Sequence, residues 1–372
     1  MIVKDEADTL EQTIQSVRDH VDEVIIGVDE ASNDGTREIA ERLADRVIPH
    51  YLDEELAKQG PRKNKGDWGF SKARNRVLAV CKPGTWRLIL DGHETVKNPE
   101  NIHKVIEEAE SKNQDGVEVW IHFEPDQYGI PQLMYTQARL LGPNIRYQNS
   151  QHNAPMLQKH KKYVSEQFVV EHNKQHQNKS AKKARDVQRS KATIEGFEDA
   201  VKQNPQDSRS WFYLGNAYKE NAKWTLAIEA YKEYLLISKW DEERWHARVN
   251  MGTCYSYRGE RDNAREQFVK AIEEFPPMAE AYYYMADLAY KQQHYHEAQV
   301  WLEHCVKMEM PKCRLFVTPR IYMVDRYDLL SMVYNHLKQY EKAIQMAEKA
   351  YETAEIPRIK NNIEIWSKWI SR

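Results

Sequence analysis

From about residue 185 onward the chain resembles itself at a period near 34, and this recurrence constrains the fold more than any other feature. Trp211, Leu214, Gly215, Tyr218, Ala227 and Tyr231 are answered in phase by Met251, Gly252, Tyr255, Ala264, Phe268, Ala271 and Pro276. Tyr282, Met285, Ala286, Ala298 and Leu302 form a third unit, and Leu330, Tyr334, Ala343 and Ala350 a looser fourth. A half unit, Phe197, Ala200 and Pro205, precedes the first. Small residues let paired helices approach while aromatics fill the space between neighbouring pairs, so a stack buries what one pair cannot. An irregular bundle gives no reason for such in-phase recurrence.

The first 150 residues have another character. Ile2-Val3, a helical spacing of Leu10, Ile14, Val17 and Val21, and then Val24 to Val28 read as the start of a βαβ unit. Thr36 is a candidate cap for the helix from Arg37, followed by a strand near Val47-Ile48, a helix from Ser71 to Val80 and a strand from Trp86 to Leu90. Asn98-Pro99 then opens a helix to about Glu110. Gly116 to Phe123 and Leu133 to Leu141 flank a Tyr128-Gly129 turn, which predicts antiparallel pairing added to a parallel sheet. Between the halves, Gln158 to Lys191 holds ten Lys or Arg against three Asp or Glu, and reads as a solvated linker or as an electropositive rim beside a site.

A chain of 372 residues exceeds what one core usually organises, so two domains are expected, 1–180 and 181–372. Fifty-four Lys and Arg against 57 Asp and Glu exclude a globally basic nucleic-acid binder. No apolar run approaches the roughly 18 residues of a membrane helix, and Asp5 and Glu6 stand where a signal peptide would carry positive charge, so a cytoplasmic protein is expected. Four cysteines without a CxxC pair imply neither a disulfide framework nor a thiolate zinc site.

In an open parallel sheet, ligands bind beyond the carboxyl ends of the strands. Three places qualify: Val3 to Glu6, Asp29 to Thr36, and Asp91-Gly92-His93-Glu94. Asp34-Gly35 reads as a tight turn. Asp29 ends an apolar strand, where a carboxylate is costly to bury unless something occupies it. Asp91 and His93 place a carboxylate and an imidazole two residues apart, a pair able to grip a divalent metal that neutralises a leaving diphosphate. Arg74, near the start of a helix, suits phosphate oxygens by charge and by the helix dipole.

MIVKDE, IIGVDEASNDGT, GFSKARN and LILDGHE, in this order, resemble the family 2 glycosyltransferases of GT-A fold. The likeness is to the bacterial and phage branch with tetratricopeptide repeats behind the catalytic domain, which includes the S-glycosyltransferase of sublancin. The resemblance implies a Rossmann-like α/β mixed sheet with flanking helices, followed by an all-α tetratricopeptide-repeat solenoid. It also implies transfer of a sugar, with inversion, from a nucleotide diphosphate donor, usually UDP-linked, with a divalent cation at the acidic triplet. Carried over, Val3 and Glu6 lie against the nucleotide, Asp29 contacts base or ribose, Arg74 approaches the diphosphate, and Asp91 with His93 occupy the DxD positions. His172 resembles the C-terminal histidine that completes the metal site in many such enzymes, with His152 as its competitor.

Two departures stand out. The branch usually reads DAD or DADE where this chain has Asp91-Gly92-His93-Glu94; DxH occurs in polypeptide N-acetylgalactosaminyltransferases, which favours Mn2+ over Mg2+. Where relatives carry a His-Glu pair, this chain has Asn153, which cannot accept a proton from an acceptor. Glu124 and Asp126 are the candidate replacements as catalytic base. Three readings follow: a transferase acting on a peptide or protein, the same on DNA bearing hydroxymethyl pyrimidines, and a catalytically degenerate transferase whose repeats are the working, binding surface.

Overall fold

The computed structural model describes residues 1–50, 70–148, 154–157, 162–172, 179–311 and 316–370. The chain divides into two compact units, one of Met1–Pro125 with Met134–Lys183, the other of Asp126–Leu133 with Ala184–Arg372. The second is therefore discontinuous in sequence and takes in the turn at Tyr128-Gly129.

In the first unit, β1 (Ile2–Val3), β2 (Ile25–Asp29) and β3 (Arg46–His50) are parallel in the order β1-β2-β3. A five-stranded sheet runs β4-β7-β6-β10-β5, from β4 (Arg87–Leu88), β5 (Glu94–Lys97), β6 (Gly116–Phe123), β7 (Leu133–Leu141) and β10 (Lys162–His172). β10 is parallel to β6 and antiparallel to β5, and β4 is antiparallel to β7. A parallel bridge from Ile2 to Asp91 joins the two sheets beside β1. A short pair, β8 (Tyr147–Gln148) with β9 (Ala154–Pro155), completes the strands. Helix Leu10–Gln15 and helix Ile102–Ser111 put Leu10, Ile14, Ile102 and Val105 into the core against Val3, Ile26, Val117, Val119 and Val170.

The linker reading of 158–191 is corrected here. Residues Lys162–His172 form a strand between β6 and β5, with Phe168 and Val170 fully buried, and Lys179–Gln203 form a helix. The register with β6 shifts between Ser165 and Val169, a bulge that breaks the alternation by which a strand would have been recognised. Thr36 is likewise not the cap of its helix. It is the first residue of Thr36–Leu43; Gly35, at φ 93°, holds the cap position.

The second unit stacks the expected pairs: Ser208–Glu220 with Trp224–Ile237, Asp241–Tyr257 with Arg261–Glu274, Ala279–Lys291 with Tyr295–Cys305, and Arg326–His336 with Tyr340–Thr353, closed by Pro357–Ile370. A side chain at Gly215 would put its Cβ 2.6 Å from the Tyr231 ring, and one at Gly252 would lie 2.5 Å from Phe268. This is the physical content of the small-and-large pattern: each glycine admits the aromatic of its partner helix. Asp126 and Ile130 belong to this unit. Ile130 is buried among Ala286, Leu302, Val333 and Trp366, and Asp126 Oδ2 accepts a 2.7 Å bond from Arg320 Nη1.

Glu280 is buried in the same unit and accepts from the Thr318 amide at 2.9 Å and the Tyr322 hydroxyl at 2.7 Å. Burial pushes its carboxyl up to about 7, against those two hydrogen bonds. A raised carboxyl pKa means that the folded state binds the extra proton, so stability declines as pH rises from 4.5 to about 7 and is flat above, a loss of about 3 kcal/mol. Urea unfolding of Glu280→Gln should show a flatter profile and a more stable protein at pH 8; parallel profiles would remove Glu280 as the cause.

Candidate active site

The three strand-end segments picked out in the sequence meet. After β1 the chain runs along the 29–36 loop, with the amides of Asp5, Glu6 and Ala7 donating to Ser32 Oγ at 3.2 Å, Thr36 Oγ1 at 2.8 Å and Asp34 Oδ2 at 3.1 Å. Asp34 also accepts from the Thr36 amide, so its turn role and its hold on Ala7 are one arrangement. Asp29 is buried at the end of β2. Its Oδ1 accepts from the Ala31 amide at 2.9 Å, and Lys4 Nζ lies 3.8 Å from Oδ2. Val3 is buried beside them.

Gly92 lets the third segment close on the first. A Cβ there would meet Val3 Cγ1 at 2.9 Å and Glu6 Cβ at 3.0 Å, while the hydroxyls of Thr9 and Thr13 donate to its carbonyl at 2.8 and 3.0 Å. The turn thus fixed aims Asp91 and His93 in different directions. Asp91 Oδ1 accepts from Arg74 Nη2 at 2.8 Å, and His93 Nδ1 meets Glu6 Oε1 at 3.0 Å. The Arg74 guanidinium stands 5.2 Å from the centre of the Tyr147 ring. Burial alone would push the Asp91 carboxyl up, but Arg74, then Arg139 and His93, hold it well below the usual carboxylate range.

Beneath this turn lies a pair that no motif announced. Glu94 is fully buried; its Oε2 accepts the Asp91 amide at 2.8 Å, and its Oε1 pairs with Arg139 and lies 3.4 Å from His172 Nδ1. Arg139 is itself buried and also reaches the Ile89 carbonyl. Burial works against its charge, but the carboxylates of Glu94 and Asp91 outweigh it and raise its pKa. The available signal was an arginine inside the apolar run Ala138 to Leu141, since a charge there demands a partner.

The donor chemistry suits a borderline divalent ion. Glu6 Oε1 faces His93 Nδ1 at 3.0 Å; with the hydrogen on Nδ1 pointing to that oxygen, Nε2 of the neutral ring carries the lone pair, and that nitrogen is buried with no hydrogen-bond partner. The rings of His93 and His172 are 4.4 Å apart, edge to face, and Phe123 stacks on His172 at 4.8 Å. The arrangement is another matter. Asp91 Oδ1 is engaged by Arg74, and among the described residues no three His, Cys, Asp or Glu are disposed to hold a metal ion.

Of the two candidate bases, Glu124 directly follows β6, with its amide donating to the His172 carbonyl at 2.9 Å. Asp126 lies in the helical unit, where it is held by Arg320 and by the amides of Tyr128 and Ile130 at 2.9 and 3.1 Å. Asn153 and His152 lie outside the described residues.

An open α/β sheet with charged strand ends is followed by a solenoid of stacked helix pairs. Residues 1–173 match the family model described as glycosyl transferase family 2, and residues 197–229, 250–300 and 324–356 match tetratricopeptide repeat models. The chain therefore carries a family 2 glycosyltransferase domain followed by tetratricopeptide repeats. Ninety-six residues are 35% identical to a TPR repeat-containing protein of Synechococcus elongatus, a match spanning 25% of this chain and only 19% of that relative. Among solved structures, MamA is similar at 19% identity and TM-score 0.39, over 46% of this chain and 93% of its own. YrrB, described as a TPR protein with an unusual peptide-binding site, is similar at 14% identity and TM-score 0.37, over 48% of this chain and 85% of its own. Among the described residues no helix is long and apolar enough to cross a membrane.

Proposed function

We propose that the protein transfers a sugar, with inversion, from a nucleotide diphosphate donor, UDP-linked ahead of others, to a macromolecular acceptor. The observation that carries this reading is the convergence of Glu6, Arg74, Asp91 and His93 at the carboxyl ends of parallel strands in a family 2 domain. Val3, Glu6 and Asp29 are assigned to the nucleotide, and Arg74 to the diphosphate. By the family resemblance, Asp91, His93 and His172 are the residues that would hold a divalent cation, manganese ahead of magnesium since two of the three are imidazoles, although as they stand Asp91 is held by Arg74 and the three are not disposed to hold an ion together. Such an ion supplies neutralisation of charge on the departing nucleotide diphosphate. Glu124 is preferred to Asp126 as the base, since its amide bonds the carbonyl of His172 at the end of β10, whereas Asp126 belongs to the helical unit. A degenerate, purely binding role is less favoured, because the buried His93 Nε2 lacks a hydrogen-bond partner and so costs stability without a ligand to serve. The test is to incubate the protein with a panel of nucleotide sugars and follow hydrolysis and transfer by mass spectrometry. No turnover of any donor, with or without peptide and DNA acceptors, would favour the binding role.

A peptide or protein acceptor ranks ahead of hydroxymethylated DNA, because stacked repeats present long surfaces to peptides. The two are separable by salt. Binding to duplex DNA weakens by about 0.9 log units per log unit of salt for each phosphate neutralised. For a DNA acceptor, replacing Lys182, Lys183 and Arg185 by Ala should flatten the slope by about that amount for each of the three that meets a phosphate. An unchanged slope, with unchanged donor affinity, would direct the acceptor search to peptides.

A further inference from the structure

In the helical unit one lysine is held by a neutral partner alone. Lys219, half-buried near the end of Ser208–Glu220, donates from Nζ to Asn250 Oδ1 at 2.7 Å, and among the described residues no Asp or Glu forms an ion pair with it. Asn250 is buried on Asp241–Tyr257, the first helix of the next pair, and its Nδ2 meets Asn216 Oδ1 at 3.1 Å and His246 Nδ1 at 3.0 Å. Asn216 Oδ1 also accepts from the Tyr231 hydroxyl at 2.7 Å. Burial, and then the charge of Lys219, hold the His246 imidazole down to about 3, so the ring is neutral and takes an Asn250 hydrogen on Nδ1. The result is one-sided. The oxygens of Asn216 and Asn250 are both used inside the cluster, whereas Lys219 keeps two N–H groups and Asn216 both hydrogens of its side-chain amide. Burial also lowers the pKa of the Lys219 ammonium, with Cys254 and Glu220 opposing. A charge drawn out of water without a counter-charge costs stability, and one amide oxygen returns only part of that.

We propose that Lys219 and Asn216 form an anion seat on the first two helix pairs, which takes the carboxylate of an Asp or Glu side chain of the acceptor peptide. The proposal rests on the peptide reading above and names the chemistry by which the repeats select that peptide. Lys219 and Asn216 are three residues apart on one helix, and they bond the two ends of the same Asn250 amide, so their free hydrogens lie side by side. Together they offer charge-assisted bonds to both oxygens of one carboxylate. The bound carboxylate also supplies the counter-charge that the fold leaves out. Asn250 and Tyr231 are positioning residues. They hold the Asn216 oxygen from two sides, which turns its NH2 end away from them, and Asn250 fixes the Lys219 ammonium beside it.

The test is fluorescence anisotropy on the full chain with two labelled peptides, amidated at the C-terminus and alike except that one carries Glu wherever the other carries Gln. The unaltered protein should bind the Glu peptide about tenfold tighter than the Gln peptide. Lys219→Met should erase that preference with little change in melting temperature, since the lost Asn250 bond and the removed buried charge act in opposite directions. Asn216→Asp supplies the carboxylate from within the fold, so it should erase the preference and raise the melting temperature. If Lys219→Met does not fold, Asn216→Asp carries the comparison. Equal binding of the two peptides by the unaltered protein, or a preference that survives either substitution, overturns the proposal. Duplex DNA that binds tighter than the Glu peptide, and loses that affinity in Lys219→Met, overturns it too and assigns the seat to phosphate. UDP titrated into the same preparations keeps the donor reading separate. UDP binding without a Glu preference refutes the seat alone, and a Glu preference without UDP binding refutes the donor reading alone.

Discussion

Replacing Arg139 with Met should lower the stability of the α/β unit by about 3–5 kcal/mol, because it strands the carboxylate of Glu94 in the interior. Glu94 is fully buried, and after the substitution it would keep only the Asp91 amide and the more distant His172 among its named partners. A lost surface ion pair would cost at most about 1 kcal/mol, so urea unfolding separates the two cases clearly. Adding Glu94→Gln to Arg139→Met should recover much of the loss, since the cost lies in the unpaired charge and not in the missing attraction. A single substitution costing under about 1 kcal/mol would show that water reaches Glu94 in solution. Donor turnover should fall with stability in the single variant, because Glu94 also fixes the backbone of Asp91.

Asp91→Ala should reduce sugar transfer by about a hundred- to a thousandfold, the range found when one preorganised electrostatic contact is removed from a reacting centre. The fold should survive. Asp91 is partly exposed, and its removal leaves Arg74 facing the opening of the site with Tyr147 still beneath it. Rates of product formation and melting temperature, measured on the same preparation, check the two halves. Activity within tenfold of the unaltered protein would take Asp91 out of the donor site. A large drop in melting temperature would make it a structural group instead.

The repeats were legible because their physics is local. A glycine opposite an aromatic about 16 residues later is a contact within one helix pair, so it recurs with the period and can be counted along the chain. The strand-end polar segments were legible for a related reason: a βαβ unit brings consecutive strand ends to one edge, and Glu6, Asp91 and His93 do meet there. What lay hidden was long-range. Glu94 with Arg139, and Asn75 with Tyr147, are 45 and 72 residues apart, and no local period links such partners. β10 was hidden otherwise, by charge. Its Lys162, Glu166 and Glu171 dilute the apolar signal of Phe168 and Val170, and the bulge after Ser165 puts the two parts of the strand out of phase. The helix starts one residue earlier than expected, after a left-handed Gly35, and the Thr36 hydroxyl that suggested a cap accepts instead from the amide of Glu6, 30 positions away.

Because the helical unit draws on 126–133 as well as on the chain after 184, its assembly is tied to the order of synthesis. When a ribosome has delivered Ile130, Ala286, the first fully buried helical residue of the same cluster, is still 156 residues from being made. At roughly 5–20 residues per second that is a delay of about 8–30 s, during which an apolar turn has no finished pocket to enter. The closing step of folding thus reaches back from the last repeats to one of the earlier hairpins, and whatever shelters Ile130 in the interval has a say in the yield of native protein.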